Sequence, residues 1–398
     1  MYIILRAEWH LKMGKYNLCG YKRGGTFGIR NHIIALSTVC CSNFFAQKAH
    51  EFFEDVIPIT HQHGCDHIGK DREQVLRTLS GTCNNPNVAG VLLIGLGCEN
   101  ITVQDVFERI KSEDKIIKKI VVQDVGKKEK IYKLMKQYIL EIKRYVQSLE
   151  KVKFDISELK VGLECGGSDP FSGITGNPSV GRVSDMLVRS GATTILSEIP
   201  ELIGAKKALK KNIYDPKIEK KLFSKIDEYV EFAKSLGCDL LGVNPTPGNI
   251  MSGISSIEEK SLGCMAKAGS SVINEYLDYA QSPKSKGLVV MNTPGNDAES
   301  VTGMVAGGAQ IILFTTGLGT PLGNPVAPVI KISTNTKTFN KMKDFLDIDA
   351  GQIINGKSLE EFSQELFDLM LDVCNGKMTL SEINRNYEFS INRIGPTF

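Results

Sequence analysis

The chain has 398 residues, 42% hydrophobic and 23% charged, the balance of a globular protein with room for two or three cores. Lys and Arg number 48 against 45 Asp and Glu, and the resulting net charge of +3 excludes the strongly basic footprint of a nucleic-acid binder and gives no drive towards an anionic membrane surface. Ten cysteines scattered over this length do not read as a disulfide framework, and no apolar run is long enough to span a bilayer. The expected home is therefore a reducing cytoplasm, with the thiols free or bound to metal.

Residues 1–18 read as a leader or a peripheral strand, since Arg6, Glu8, His10 and Lys12 interrupt any signal-peptide core. Residues 21–31, YKRGGTFGIRN, read as a basic, glycine-rich loop. A strand at 32–39 runs into Cys40 and Cys41, one at 56–60 into His61, Gln62, His63, Gly64 and Cys65, and one at 90–95 into Gly97, Cys98, Glu99 and Asn100. Helices are expected at 44–54, 71–80 and 127–151, with a β-like run at 120–123. The last helix carries Ile131, Leu134, Met135, Tyr138 and Ile142 at three- and four-residue spacing. Strand, glycine-rich loop and helix in repetition argue for a parallel sheet with helices on its faces. A boundary near 151–159 separates an N-terminal domain, 19–152, from a C-terminal one, 153–398. The expected fold class is thus α/β, two domains with mainly parallel sheets flanked by helices.

The second half repeats the rhythm around residues 161–181, VGLECGGSDPFSGITGNPSVG, where an apolar run ends at Glu164 and Cys165 and a polar loop follows. Strands are expected at 159–163, 192–196, 288–291, 310–314 and 329–332, and helices at 182–188, 220–236, 257–268, 298–307 and 359–374. Each strand leads into a loop rich in Asn, Thr, Pro and Gly. Such loops at the carboxyl ends of parallel strands are where open α/β sheets bind ligands, and their amides and hydroxyls suit a polyhydroxylated one.

His61, His63 and His67 lie within seven positions and flank Cys65, a donor mixture suited to Fe(II), Zn(II) or another borderline metal. If residues 60–63 are extended, His61 and His63 point to one side. Cys98 and Cys165 each follow a predicted strand beside a glutamate. Converging with Cys65 they would hold an iron–sulfur cluster; as small apolar core residues they would hold nothing. Cys40, Cys41, Cys83, Cys238, Cys264 and Cys374 fit the core reading better. The loops at 24–28, 166–176 and 317–323 are glycine-rich enough to wrap an anion, but none is a Walker A loop or a dinucleotide fingerprint.

The blocks GYKR (20–23) with GIRN (28–31), HQHGC (61–65), GLGCEN (95–100), ECGGSDPFSGITGNP (164–178) and TTGLGT (315–320) resemble the altronate dehydratase and D-galactarate dehydratase family. The likeness covers nearly the whole chain from about Leu18, and the family includes the large subunit of sulfolactate sulfo-lyase. The resemblance implies a lyase acting on a small 2-hydroxy acid, with Fe(II) or Mn(II) as cofactor. It also implies a large-subunit form whose small N-terminal domain is a separate polypeptide; self-association into a homo-oligomer is left open.

In such a dehydration a base removes the proton beside the carboxylate, a metal and cationic groups stabilise the ene-diolate-like charge, and an acid helps the 3-hydroxyl leave. The product is a 2-keto-3-deoxy acid. The expected proton-transfer groups are His61, His63, Glu164, Asp169 and Glu198. The expected metal ligands are His61, His63, Cys65, Cys98 and Cys165. Arg23, Arg30 and Lys331 would hold the carboxylates, with Asn177, Asn292 and Thr316 on the hydroxyls. The alternatives are release of sulfite by a sulfo-lyase and a non-catalytic sugar-acid-binding subunit.

Overall fold

Two parallel sheets organise the chain in the computed structural model, which describes residues 16–111, 114–238, 240 and 244–397. The first β-elements form a hairpin: β1 (Asn17–Arg23) turns at Gly24 and pairs antiparallel with β2 (Thr26–Gly28). The segment expected as a loop at 21–31 is therefore largely strand. Gly24 takes φ +57, which a glycine adopts freely, so the turn is tight enough to close a hairpin. Most of the expected leader lies outside the described residues. Leu18, however, is buried in β1 and packs in the core of the second half.

The first large sheet has the order β4-β3-β5-β6, from β3 (His32–Ser37), β4 (Val56–Ile59), β5 (Val88–Gly95) and β6 (Ile116–Val121), all parallel. Every residue of β5 is buried, as a strand covered on both faces must be. Helix Lys128–Gln147 covers one face with Ile131, Met135, Ile139, Ile142 and Val146, a stripe at three- and four-residue steps. It approaches so closely that a Cβ on Gly90 would lie 2.2 Å from Ile142 Cγ2. Burying each such side chain stabilises by roughly 1.5–3 kcal/mol.

β7 (Val152–Asp155) returns to pair with β1, so the junction between the halves is itself a small antiparallel sheet. The second large sheet is all parallel, in the order β10-β11-β9-β8-β12-β13-β14. Its strands are β8 (Lys160–Gly166), β9 (Thr193–Leu196), β10 (Ile273–Leu277), β11 (Gly287–Met291), β12 (Ile311–Thr316), β13 (Val329–Ser333) and β14 (Ile348–Asp349). The chain leaves β8 to one side for β9 and returns to its other side for β12. Such a reversal opens a crevice at the carboxyl ends of the two strands. The first sheet has the same reversal between β3 and β5.

Helices Gly69–Asn84 and Asp297–Ala306 pack the halves together, and a Cβ on Gly81 would meet the Ala306 carbonyl at 2.4 Å. Asn85 and Asn87 donate across the seam to the carbonyls of Val305, Ala309, Gln310 and Val326. The carboxyl-terminal tail crosses back over the first half, where Arg393 pairs with Asp71 at 2.7 Å and Gln74 donates to the Asn392 carbonyl. No helix among the described residues is long and apolar enough to cross a membrane.

Candidate active site

Three strands of the second sheet end together in a cluster of buried ionisable groups. Glu164 lies in the last turns of β8, Glu198 follows β9, and Asp297 opens the helix that follows β11. Ser197 and Ser300 donate to Glu164 Oε2 at 2.9 and 2.6 Å, while Glu164 Oε1 is buried without a partner. Glu198 sits at φ 64, ψ 66, a left-handed conformation that costs a non-glycine residue about 1–3 kcal/mol and collects at functional sites. The Thr293 hydroxyl, 2.6 Å from the Glu198 amide, holds it there. Lys267, wholly buried after helix Ile257–Met265, reaches Glu198 Oε2 at 2.9 Å. The Cys165 amide donates to the same oxygen at 3.2 Å, and Cys165 Sγ lies 3.7 Å from Cys264 Sγ. Beside them Lys260 bridges Glu201 and Asn244.

The environments of the carboxyls push them apart. Burial and the neighbouring Glu198 charge raise Glu164 well above the ordinary carboxylate range. Burial opposes ionisation of Glu198 too, but the Lys267 ammonium outweighs it and holds Glu198 low. Glu164 is therefore the protonated partner and Glu198 the ionised one. Burial works against the Lys267 charge, yet the surrounding thiols and carboxyls keep it cationic. Asp297 stands at the half-buried outer end, raised to about 7 by burial and by the Glu198 and Glu201 charges. A carboxyl poised there can take or give a proton at neutral pH.

Glu164, Glu198 and Asp297 each offer an oxygen, all within 4.8 Å of one another. With the unpartnered Oε1 of Glu164, this carboxylate set fits a divalent ion such as Fe(II) or Mn(II). Cys165, Glu198 and Cys264 are equally close, but burial and their mutual contact keep the Cys165 thiol protonated.

Of the residues expected from sequence, Glu164, Glu198 and Cys165 meet in this cluster. Asp169 lies nearby as a clamp. Its carboxylate accepts from Ser172, Thr334 and Asn335 and ties the loops after β8 and β13 together, so no oxygen is left for proton transfer. Asn177 uses its amide on Gly263 and Thr315, and the Thr316 hydroxyl caps the Gly319 amide. Asn292, half-buried after β11, accepts from Tyr229. Lys331 is fully buried, donates to the carbonyls of Pro321 and Leu322, and is lowered to about 8 by burial.

The two arginines expected on the substrate hold the fold instead. Arg23 is buried and donates to Val88, Lys22 and Asn31. Arg30 forms a fork on Glu382 and caps the carbonyls of Val373 and Lys377. Fixed donors of this kind are not free to bind a ligand.

The histidines form a separate network. His61 Nε2 bonds the Ser37 carbonyl at 2.8 Å and its Nδ1 accepts the His63 amide at 3.1 Å. His67 accepts the Gly64 amide at Nε2 and pairs with Asp71 through Nδ1. Both rings thus have both nitrogens engaged, and His61 has no lone pair left for a metal. Burial brings His61 and His63 down to about 4, so both are neutral near pH 7. A cavity of about 230 Å³ lies against His61 and His63, closed on one side by Phe389 and Ile391 of the tail. No hydrogen bond or ion pair among the described residues joins this network to Glu164. Cys165 pairs with Cys264, so the expected triad of Cys65, Cys98 and Cys165 does not form. Lys267 and Asp297 were not among the expected site residues. The signal for Lys267 was a lysine set between Ala266 and Ala268 in an otherwise apolar stretch.

Comparison with known proteins bears on this geometry. Residues 20–147 match the family pattern described as D-galactarate dehydratase/altronate hydrolase, second domain, and residues 156–397 match D-galactarate/altronate dehydratase, C-terminal. The chain is 35% identical to altronate dehydratase of Escherichia coli K12, over 95% of this chain and 78% of that protein. It is 38% identical to galactarate dehydratase (L-threo-forming) of the same organism, over 76% of this chain and 59% of that one. To (2R)-sulfolactate sulfo-lyase subunit beta of Chromohalobacter salexigens it is 32% identical, over 94% of this chain and 97% of that subunit.

Proposed function

The chain belongs to the D-galactarate/altronate dehydratase family, a hydro-lyase family, and from that premise we propose that it dehydrates a sugar acid to a 2-keto-3-deoxy acid at the Glu164–Glu198–Asp297 cluster, with Fe(II) or Mn(II) as cofactor. The observation that carries the reading is three carboxyl groups with oxygens within 4.8 Å of one another at the strand ends, one of them, Glu198, fixed by the buried Lys267 at 2.9 Å, and Asp297 on the solvent side. Asp297 exchanges a proton with the substrate. Glu164 and Glu198 share the proton behind it, and Lys267 keeps Glu198 ionised. The serine hydroxyls on the Glu164 carboxyl and Lys267 on that of Glu198, whose backbone amide is held by Thr293, fix both carboxyls before substrate arrives, so little reorganisation accompanies proton transfer. When bound, the metal supplies Lewis-acid stabilisation of the ene-diolate charge.

The test is an anaerobic panel of hexonates and hexarates with Fe(II), read by keto-acid formation, for the native chain and for Asp297→Asn. Keto acid from the native chain and its loss in the variant is expected. Equal turnover by both overturns the site. A second reading, sulfite release from sulfolactate, is supported by the alignment over 97% of the sulfo-lyase subunit. A sulfite assay in the same panel separates the two. Because that relative is named as a subunit, the panel is run with and without a co-expressed small partner chain.

A further inference from the structure

An acid entering a buried site needs a cation to replace the water around its carboxylate. Arg23 and Arg30 hold the fold, Lys331 is spent on two backbone carbonyls, and Lys267 has no accessible surface. Lys260 is the cation of the cluster that is left. It lies on helix Ile257–Met265, seven residues and about two turns before Lys267, and both ammonium groups reach the turns after β9. Those turns, Ile199–Ala205, follow Glu198 directly, and Glu201 stands three residues on, one turn of a 3₁₀ helix. Two lysine–glutamate pairs therefore lie one after the other. Lys267–Glu198 is the inner pair, with side chains 0% and 1% exposed, and Lys260–Glu201 the outer, at 9% and 7%.

The outer pair is built into the Asp297 side of the cluster. Lys260 Nζ donates to Glu201 Oε1 at 3.0 Å and to Asn244 Oδ1 at 2.7 Å, and Asn244 Nδ2 turns back onto Glu201 Oε1 at 3.2 Å. A Cβ on Gly295, two residues before Asp297, would come 3.5 Å from Glu201 Oε1, so the loop after β11 rests on this pair. The helix carrying Lys260 is pressed onto the turns carrying Glu201: a Cβ on Gly204 would lie 2.6 Å from Glu258 Cα, and the Gly204 amide donates to Ser261 Oγ at 3.0 Å. The pair is nevertheless incompletely satisfied. Glu201 Oε2 is buried without a hydrogen bond, although Lys260 Nζ is 2.9 Å away. An ammonium has three protons, and among the described residues two of those on Lys260 have an aligned acceptor. One donor is left for a ligand.

We propose that Lys260 binds the substrate carboxylate, and that Glu201 and Asn244 hold the lysine in place until the acid arrives. This assignment rests on the dehydratase reading, in which an acid enters beside Asp297. A carboxylate seated on Lys260 brings the carbon next to it towards Asp297, the group that exchanges its proton. Lysine is a compact charge on a flexible stem, so it can turn from Glu201 towards the ligand. Glu201 is the internal stand-in for the acid, and it keeps the ammonium paired while the site is empty. Altronate, galactarate and sulfolactate all carry a carboxylate beside a hydroxyl-bearing carbon, so Lys260 serves a dehydratase and a sulfo-lyase alike.

The test is calorimetric titration of the full, Mn(II)-loaded chain with altronate, galactarate and sulfolactate, in an Asp297→Asn background so that binding is read apart from turnover. Binding of at least one acid is expected, weakened about 10–100-fold by Lys260→Met, the worth of one charge-assisted hydrogen bond. Lys260→Arg, which keeps the charge, should recover most of that loss. Glu201→Gln should tighten binding, because the lysine no longer has an internal carboxylate to leave. Lys260→Met strands Glu201 in the interior, so the double variant Lys260→Met/Glu201→Gln, which removes both charges, is titrated beside it and should show the same loss. Acid binding unchanged in the double variant overturns the proposal. So does a Glu201→Gln chain weakened as much as Lys260→Met, the result expected of a purely structural ion pair, and so does a parent chain that binds none of the three acids. Failure of the reaction is a separate result: acid binding that depends on Lys260, with neither keto acid nor sulfite from the native chain, overturns the reaction and leaves the carboxylate site standing.

Discussion

At the carboxyl edge of the first sheet the donors are sulfurs in the open; at the same edge of the second they are carboxylate oxygens under cover. Cys40, Cys41 and Cys98 are exposed, whereas Glu164, Glu198 and Lys267 have almost no accessible surface. The two edges share a topology, with strands diverging on either side of a reversal. Burial makes the difference. In the second half the helix Ile257–Met265 and the turns after β9 close over the strand ends, so charges must be paired and protons shared. In the first half short loops leave the strand ends in water, and neutral thiols can stand close together at little cost. The covered crevice brings carboxyls and a lysine into contact, and the open one leaves its thiols in solvent.

The contrast can be broken at its buried end first. Lys267→Met leaves Glu198 ionised and unpaired in the interior. The expected cost is about 3–5 kcal/mol in urea unfolding, with loss of turnover. Glu164→Gln keeps the volume and removes the shared proton, and kcat is expected to fall by about 10²–10⁴-fold with KM little changed. Asp297 supplies a pH signature: kcat/KM should show an inflection near 7 that disappears in Asp297→Asn. The same group has a stability consequence. Its folded pKa is raised, so the native state keeps a proton that the unfolded chain has lost. That stabilisation is full below about 4 and is lost as pH rises through about 7. Unfolding midpoints for native chain and Asp297→Asn across this window check the sign.

At the open edge the effects are smaller. Gly64→Ala puts a Cβ into the Thr38 carbonyl and forces an unfavourable φ, for an expected loss of about 1–3 kcal/mol in urea unfolding. Arg393→Ala cuts the tail from Asp71 at the protein rim. About 1–3 kcal/mol is expected because buried Asp71 is left short of a partner, and the His63 titration followed by NMR should move up from about 4 because a neighbouring cation is gone.

Much of the fold was legible. The helix expected at 359–374 is Leu359–Cys374, because its apolar spacing and the Ser358–Glu361 capping box leave few alternatives. Buried parallel strands such as β5 and β12 showed as unbroken apolar runs. β10 did not, since Ile273–Leu277 is an edge strand whose middle residues are only partly covered. Of the residues expected from sequence at the strand ends, Glu164 and Glu198 stand together in the candidate cluster. The partners of the arginines were not legible, because sequence shows a donor without its acceptor: Glu382, which takes Arg30, lies 352 residues away. The partners of His61 were hidden for the same reason, its nitrogens meeting the Ser37 carbonyl and the His63 amide.

Local pattern settled which segments become strands and helices and which polar residues stand at the strand ends, because periodicity and capping act within a few residues. Which of those residues would share a space was decided only when strands distant in the chain became neighbours in a sheet. That ordering set Lys267 beside Glu198 and left Cys165 with Cys264. Burial and pairing then set the charges of Glu164 and Glu198 apart, and burial belongs to the packed molecule and to no single stretch of it.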